Sequence, residues 1–175
     1  MIRKQYTSID GEGREVMLQC HPDLNKAIIV EKADGSVAIY PVDPIHRFPS
    51  ETEEQQTTRI LAKITNVFST EIIDFWQPIL RDHTFRNAWR KTPGTVTHDM
   101  PKCRDIWRSK LRELRRPKME ALDVAYMQAD ERGDTVEKAR IAAEKQKLRD
   151  VTADPWIEAA QTPEQLKAVM PDILK

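Results

Sequence analysis

The sequence predicts an α+β protein: a small N-terminal antiparallel β-meander, then a mainly helical C-terminal half built on an antiparallel helical hairpin. Three observations predict it. Short runs rich in Val, Ile and Tyr fill the first fifty residues, an Asp34-Gly35 pair separates two of them, and from residue 99 onward apolar positions recur at helical spacing.

Residues 14–20 (REVMLQC), 26–32 (KAIIVEK) and 36–41 (SVAIYP) are short, partly alternating and β-branched, which suits a pleated, half-buried surface. Asp34-Gly35 predicts a hairpin closed by a tight primed turn, because Gly adopts positive φ at no steric cost. The stretch 10–13 (DGEG) turns an earlier strand, 2–9, in the same way. Pro41, Pro44 and Pro49 then break regular pairing, so 41–50 reads as a linker.

Ser50 with Glu53 matches a capping box, and Ile60, Leu61, Ile64, Val67 and Phe68 follow at helical spacing, which predicts a helix over 51–68, with a mobile loop as the equal alternative for its polar first half, ETEEQQTT. In residues 71–80 (EIIDFWQPIL), the most apolar part of the chain, periodicity does not separate strand from helix. Residues 85–89 and 95–97, flanking Pro93-Gly94, predict a second small hairpin.

Asp99 is placed to cap a helix whose first turn contains Pro101. Trp107, Leu111, Leu114, Leu122, Ala125 and Ala129 form its apolar stripe, and Pro117 predicts a kink or a short break. Gly133-Asp134 ends it. A second helix follows to about Asp150, with Val136, Ala139, Ala142, Ala143 and Leu148 as its stripe, and the two must lie antiparallel to cover each other. Asp154-Pro155 and Thr162-Pro163 each start a short helix, with Trp156 and Leu166 as the anchors onto the hairpin. The expected organisation is a β-rich unit over 1–48, a connecting helix and mixed segment over 49–98, and a helical part over 99–175. A two- or three-stranded ribbon needs another layer on its face, so the first unit is expected to dock on the remaining chain or on a partner.

The 175 residues are 39% hydrophobic, 32% charged and only 6% aromatic, a globular composition with a thin core. Twenty-eight Lys and Arg balance 28 Asp and Glu, so no global field draws nucleic acid or an anionic membrane. No apolar run approaches the roughly 18 residues a membrane-spanning helix needs, and residues 1–6 are too polar for a signal-peptide core. Cys20 and Cys103, far apart, suggest no disulfide framework and fit a reducing cytoplasm.

Chemistry finds little support in the spacing. The candidate metal ligands His21, His46, His83, His98, Cys20 and Cys103 match no zinc signature, so no metal is expected. Asp82-His83-Thr84 contains triad residue types, but adjacent residues rarely point at one another and no nucleophile elbow is present. With five glycines there is no phosphate-cradling loop and no dinucleotide fingerprint, so no cofactor and no enzymatic activity are expected.

Residues 102–118 hold eight Lys and Arg against Asp105 and Glu113, a local charge of +6. Such a helix could follow phosphates with Trp107 as a stacking platform. Arg108–Arg112 and Arg112–Arg116 are like-charged i,i+4 pairs, however, which calls for an acidic neighbour: the Glu51, Glu53 and Glu54 turn, or a partner protein. A protein is favoured over nucleic acid, since the whole-chain charge is zero. The candidate partner-binding residues are Phe75, Trp76, Phe85 and Trp89 from the aromatic cluster with Trp107, Arg108, Arg112 and Arg115 from the basic helix. For the aromatic cluster the alternative is a core joining the β-unit to the hairpin.

The segments TFRNAW at 84–89, DMPKCRDIWRSKLRELRRPKMEALDVAYMQADERGDT at 99–135, KQKLRD at 145–150 and TPEQLKAVMPDIL at 162–174, in that order, resemble a group of small proteins encoded in the tail gene clusters of tailed bacteriophages. The likeness covers 84–175. It implies a non-enzymatic structural or adaptor protein of the tail or tail-fibre apparatus, made in the host cytoplasm and located in the tail region of the virion. Its implied partners are tail or tail-fibre proteins, in an oligomer or hetero-complex. A transient tail-assembly chaperone is the second reading, and a nucleic-acid-binding protein using the basic helix the third.

Overall fold

The computed structural model describes residues 4–9, 15–20 and 23–175. The chain is α+β, with antiparallel strands first and a mainly helical second half containing an antiparallel helical hairpin. It divides into two compact units, Met1–Asp99 and Met100–Lys175.

In the first unit, β1 (Lys4–Ile9) pairs antiparallel with β2 (Glu15–Cys20), Tyr6 standing opposite Leu18. The expected turn at 10–13 lies outside the described residues. β3 (Lys26–Lys32) and β4 (Val37–Pro41) form a hairpin whose turn departs from the primed type. Of its central residues only Gly35 has positive φ, at +75°, and the Gly35 N–H donates to the Lys32 carbonyl at 2.9 Å. The Asp34 carboxylate takes the Ser36 N–H at 2.8 Å, a local bond that lets Asp34 stay right-handed while Gly alone absorbs the positive φ.

The stretch read as a linker is part of the packing. Val42 is buried and its N–H donates to the Lys26 carbonyl, and the Asp43 carbonyl accepts from Gln56 Nε2 at 2.7 Å. The boundary expected at 48 therefore falls inside a unit.

α1 (Glu53–Leu61) is capped by Thr52, and the expected Ser50 cap is displaced by two residues. Ser50 sits at φ +67° in the turn where Glu51 N–H reaches the Phe48 carbonyl, so it cannot hold the extended conformation an N-cap needs. Thr52 and Gln55 instead satisfy each other's backbone N–H groups, at 2.8 and 3.2 Å. The helix also stops well short of 68. Asn66 turns left-handed at φ +58° and its carbonyl accepts from Ala33 N–H, and Val67 opens β5 (Val67–Asp74), which pairs antiparallel with β3. The sheet order is β4-β3-β5.

Alternation along β3 sorts this sheet into two faces. Ile28 and Val30, with Val42, pack against Ile60, Leu61 and Ile64 from α1 and its C-terminal turn. Ala27 and Ile29, with Ile73, pack against Leu80, Trp89 and Val96. The last two belong to the second hairpin, β6 (Trp89–Thr92) and β7 (Thr95–His98), which turns at Gly94. Residues 85–88, expected in its first strand, form a short 3-10 turn instead, which buries Phe85 and Ala88.

In the second unit, α2 (Met100–Glu131) is continuous through Pro117, so of the kink or short break expected there the break does not occur. Pro117 is exposed, and its neighbours are held on the other side: Arg115 donates to the Leu148 and Arg149 carbonyls and Lys118 to the Ile173 carbonyl. The buried stripe is Cys103, Trp107, Leu111 and Ala129, with Arg115 continuing it where Leu114 was expected; Leu114 is exposed.

Gly133, at φ +68°, turns the chain, and Asp134 caps α3 (Thr135–Asp150) by accepting the Glu137 N–H at 2.9 Å. The buried residues of α3 are Ile141 and Leu148. The expected alanine stripe faces outward: Ala139, Ala142 and Ala143 are exposed, and Val136 is 80% exposed. Charge and aromatic contacts do the work of the missing apolar side chains. Lys138 pairs with Asp130 and Lys145 with Asp123, and both ammonium groups lie 5.4 Å from the Tyr126 ring.

α4 (Pro155–Ala159) and α5 (Pro163–Ala168) are capped by Asp154 and Thr162. Gln165 reaches the Gln161 N–H, one residue before the cap, so the reciprocal arm of the expected capping box is shifted. Leu166 is buried as expected, but the anchor of α4 is the fully buried Ile157, while Trp156 is 71% exposed.

Candidate protein-binding surfaces

The aromatic cluster of the first unit lies largely inside it. Phe85 and Trp89 are buried, and Phe75 and Trp76 half-buried. Trp76 donates its indole N–H to the Leu24 carbonyl at 2.5 Å. Trp89 donates its own to His98 Nε2 at 3.3 Å, with the His83 ring edge-on at 5.6 Å. Both Phe85 and Trp89 therefore pack within the unit: Trp89 fills the Ala27 and Ile29 face, and the Phe85 ring lies edge-on to His98 at 6.3 Å.

The basic helix finds its negative neighbours in its own unit. Arg108 pairs with Glu158 and Asp105. Arg104 donates to the Ile157 carbonyl at 3.2 Å and the Ala160 carbonyl at 2.9 Å, and Arg115 to the carbonyls that end α3. Helix C-termini carry unpaired carbonyls and a partial negative charge, so guanidinium groups suit them. Glu51 and Glu53, the acidic neighbours considered from sequence, are engaged within the first unit, by Arg59 and by Lys26 and Arg47. Trp107 is buried with its indole N–H on the Val169 carbonyl, so its ring is not open to a base. Of the candidates on this helix only Arg112 is exposed, and it makes no ion pair among the described residues.

Other apolar side chains face solvent. In the first unit, the loop 43–52 presents Phe48, 58% exposed, under the Arg59 guanidinium at 4.2 Å. Arg59 fixes that loop: Nε and Nη2 donate to the two Glu51 oxygens at 2.7 and 2.8 Å, and Nη2 also to the His46 carbonyl at 2.9 Å. The Arg59 guanidinium lowers the Glu51 carboxyl to about 2, and Glu51 in turn raises Arg59. On β5, Phe68 and Ile72 are 74% and 54% exposed.

In the second unit, Trp156 stands between two grooves. One, of about 540 Å³, is lined by Ala159, Ala160, Ala168, Val169, Met170 and Pro171; the other, of about 620 Å³, runs past Val151, Pro155 and Ile173. The readable signal was the choice between neighbours: Ile157 and Ala160 are buried at i,i+3, which turns the adjacent Trp156 outward.

The groups weighed for catalysis serve the backbone. Asp82 accepts the Thr84 N–H at 2.9 Å, and His83 Nε2 lies 2.9 Å from the Leu80 carbonyl. Thr84 Oγ1 is buried without a hydrogen-bond partner. Among the described residues no three His, Cys, Asp or Glu side chains are grouped to hold a metal ion, and His21 lies outside the described residues. No described helix is long and apolar enough to cross a membrane. The fold and these surfaces define an α+β protein of two units with solvent-facing apolar side chains on each. No family model, curated protein or solved structure matches the chain.

Proposed function

We propose that the protein is a non-enzymatic structural or adaptor component of a bacteriophage tail or tail-fibre apparatus, acting through protein–protein contacts. The observation that carries this reading is the coincidence of motif and module: three of the four segments that resemble phage tail-cluster proteins, 99–135, 145–150 and 162–174, fall almost wholly within one compact unit, Met100–Lys175. A recurring module joined to an individual N-terminal unit suits an adaptor that meets a common component through one unit and a particular one through the other. Exposed Trp156 beside an alanine-lined groove supports the contact role of the second unit, because aromatic anchors dominate such contacts. The internal engagement of Arg104, Arg108 and Arg115 favours protein partners over nucleic acid. Mass spectrometry of purified particles of the encoding phage tests the reading. A fixed stoichiometry in mature tails is expected; presence only in assembly intermediates points to the alternative, a transient assembly chaperone; absence from both overturns it.

A further inference from the structure

The two edges of the β4-β3-β5 sheet are finished differently. β4 has five residues and closes at Pro41, whose nitrogen donates no hydrogen bond. β5 has eight, pairs on one side only among the described residues, and exposes Val67, Phe68 and Ile72. A long apolar edge is a template for another strand.

We propose that β5 pairs antiparallel with β5 of a second copy, about a twofold axis through Thr70, joining two sheets into one. Charge and burial select among the registers centred on Thr70, Glu71 and Ile72. In a twofold pair of strands continuing one sheet, a residue must lie on the axis, because facing side chains share a face. An axis at Glu71 sets two carboxylates against each other. An axis at Ile72 sets Glu71 against the buried Ile73. An axis at Thr70 sets Glu71 opposite Ser69 of the second copy, and Ser69 is where Lys91 is held, 3.1 Å from its hydroxyl and 3.8 Å from its own Glu71. Each Lys91 then faces a carboxylate from both copies, while Glu31, bonded to Ser69 at 2.7 Å, stays on the inner strand β3. The same register sets Phe68 against Ile72 twice, covering the most exposed side chains of the strand. It also uses Phe68, which the bulge in the β3–β5 register leaves without a partner in β3.

Sedimentation velocity on the full chain at about 10–100 μM tests this, a range that reads micromolar association. A dimer is expected. Phe68→Lys or Ile72→Glu alone raises the dissociation constant at least about tenfold, and the double variant recovers it, because position 68 of one copy faces 72 of the other. Both positions are exposed, and far-ultraviolet circular dichroism checks that each variant folds. A monomer with β5 amides exchanging freely overturns the proposal, as does a dimer indifferent to both single changes or one that the double change does not restore. A monomer with protected β5 amides assigns the edge to the chain's own β1–β2 ribbon and also overturns it. None of these outcomes depends on the tail reading.

Discussion

The indole N–H of Trp107 donates to the carbonyl of Val169, 3.0 Å away and 62 residues later in the chain. Through that bond the N-terminal part of α2 holds the segment after α5, and the ring, with Lys110 Nζ 5.7 Å from its centroid, becomes part of the core of the second unit. Trp107→Phe keeps most of the apolar contact and leaves the Val169 carbonyl unpaired, so a loss of about 1 kcal/mol is expected. Trp107→Ala is expected to cost about 3–5 kcal/mol. Urea unfolding followed by helix ellipticity measures both.

The outward alanine stripe of α3 makes a second expectation. Ile141→Ala removes a fully buried side chain and should cost about 2–5 kcal/mol. Val136→Ala should change stability by less than about 0.5 kcal/mol, since the side chain is solvated. The reverse order in thermal melts would put the alanine stripe back in the hairpin interface.

Glu51 makes the first unit sensitive to acid. The Arg59 guanidinium, bonded to both carboxylate oxygens, holds the Glu51 carboxyl down at about 2, against an ordinary 4.5. The unfolded chain binds the proton more tightly, so the stabilisation is complete above about 4.5 and is lost as the pH falls toward about 2. Glu51→Gln should flatten that part of the curve of stability against pH. Denaturation midpoints of both proteins between pH 5 and about 2 check this.

Trp156 and Ile157 are adjacent and should behave oppositely. Ile157→Ala should destabilise by about 2–5 kcal/mol. Trp156→Ala should leave the melting curve unchanged within about 0.5 kcal/mol and, on the tail-adaptor function proposed above, weaken co-purification with tail components. A destabilised Trp156→Ala protein would return that side chain to the core.

Local chemistry was legible wherever neighbouring residues decide the outcome. The bounds of β2, β3 and β4, the Gly35, Gly94 and Gly133 turns, and the Asp134, Asp154 and Thr162 caps were all readable, because positive φ and unpaired N–H groups are satisfied within a few residues. β5 was not. Val67 and Phe68 continue the helical spacing of Ile60 and Ile64, and only the open edge of β3, some forty residues earlier, makes them extended. The N-terminal turn of α1 moved from Ser50 to Thr52 for a similar reason, since Arg59 and Gln56 draw the 43–51 loop back onto the helix.

The candidate surface was less legible than the fold. Composition marked Phe85, Trp89, Trp107 and the arginines as unusual, and unusual residues are as often structural as exposed. By itself the sequence determined the α+β class, the hairpins, the helical turn and the local charge of the 102–118 segment, because these rest on spacing and on the conformational limits of single residues. Only the tertiary structure decided which aromatic faces water, what neutralises each arginine and which strand lies at an edge. Those outcomes depend on groups brought together from far apart in the chain, 33 residues for Arg115 and Leu148 and 62 for Trp107 and Val169, and burial is a property of the assembled neighbours and not of the side chain.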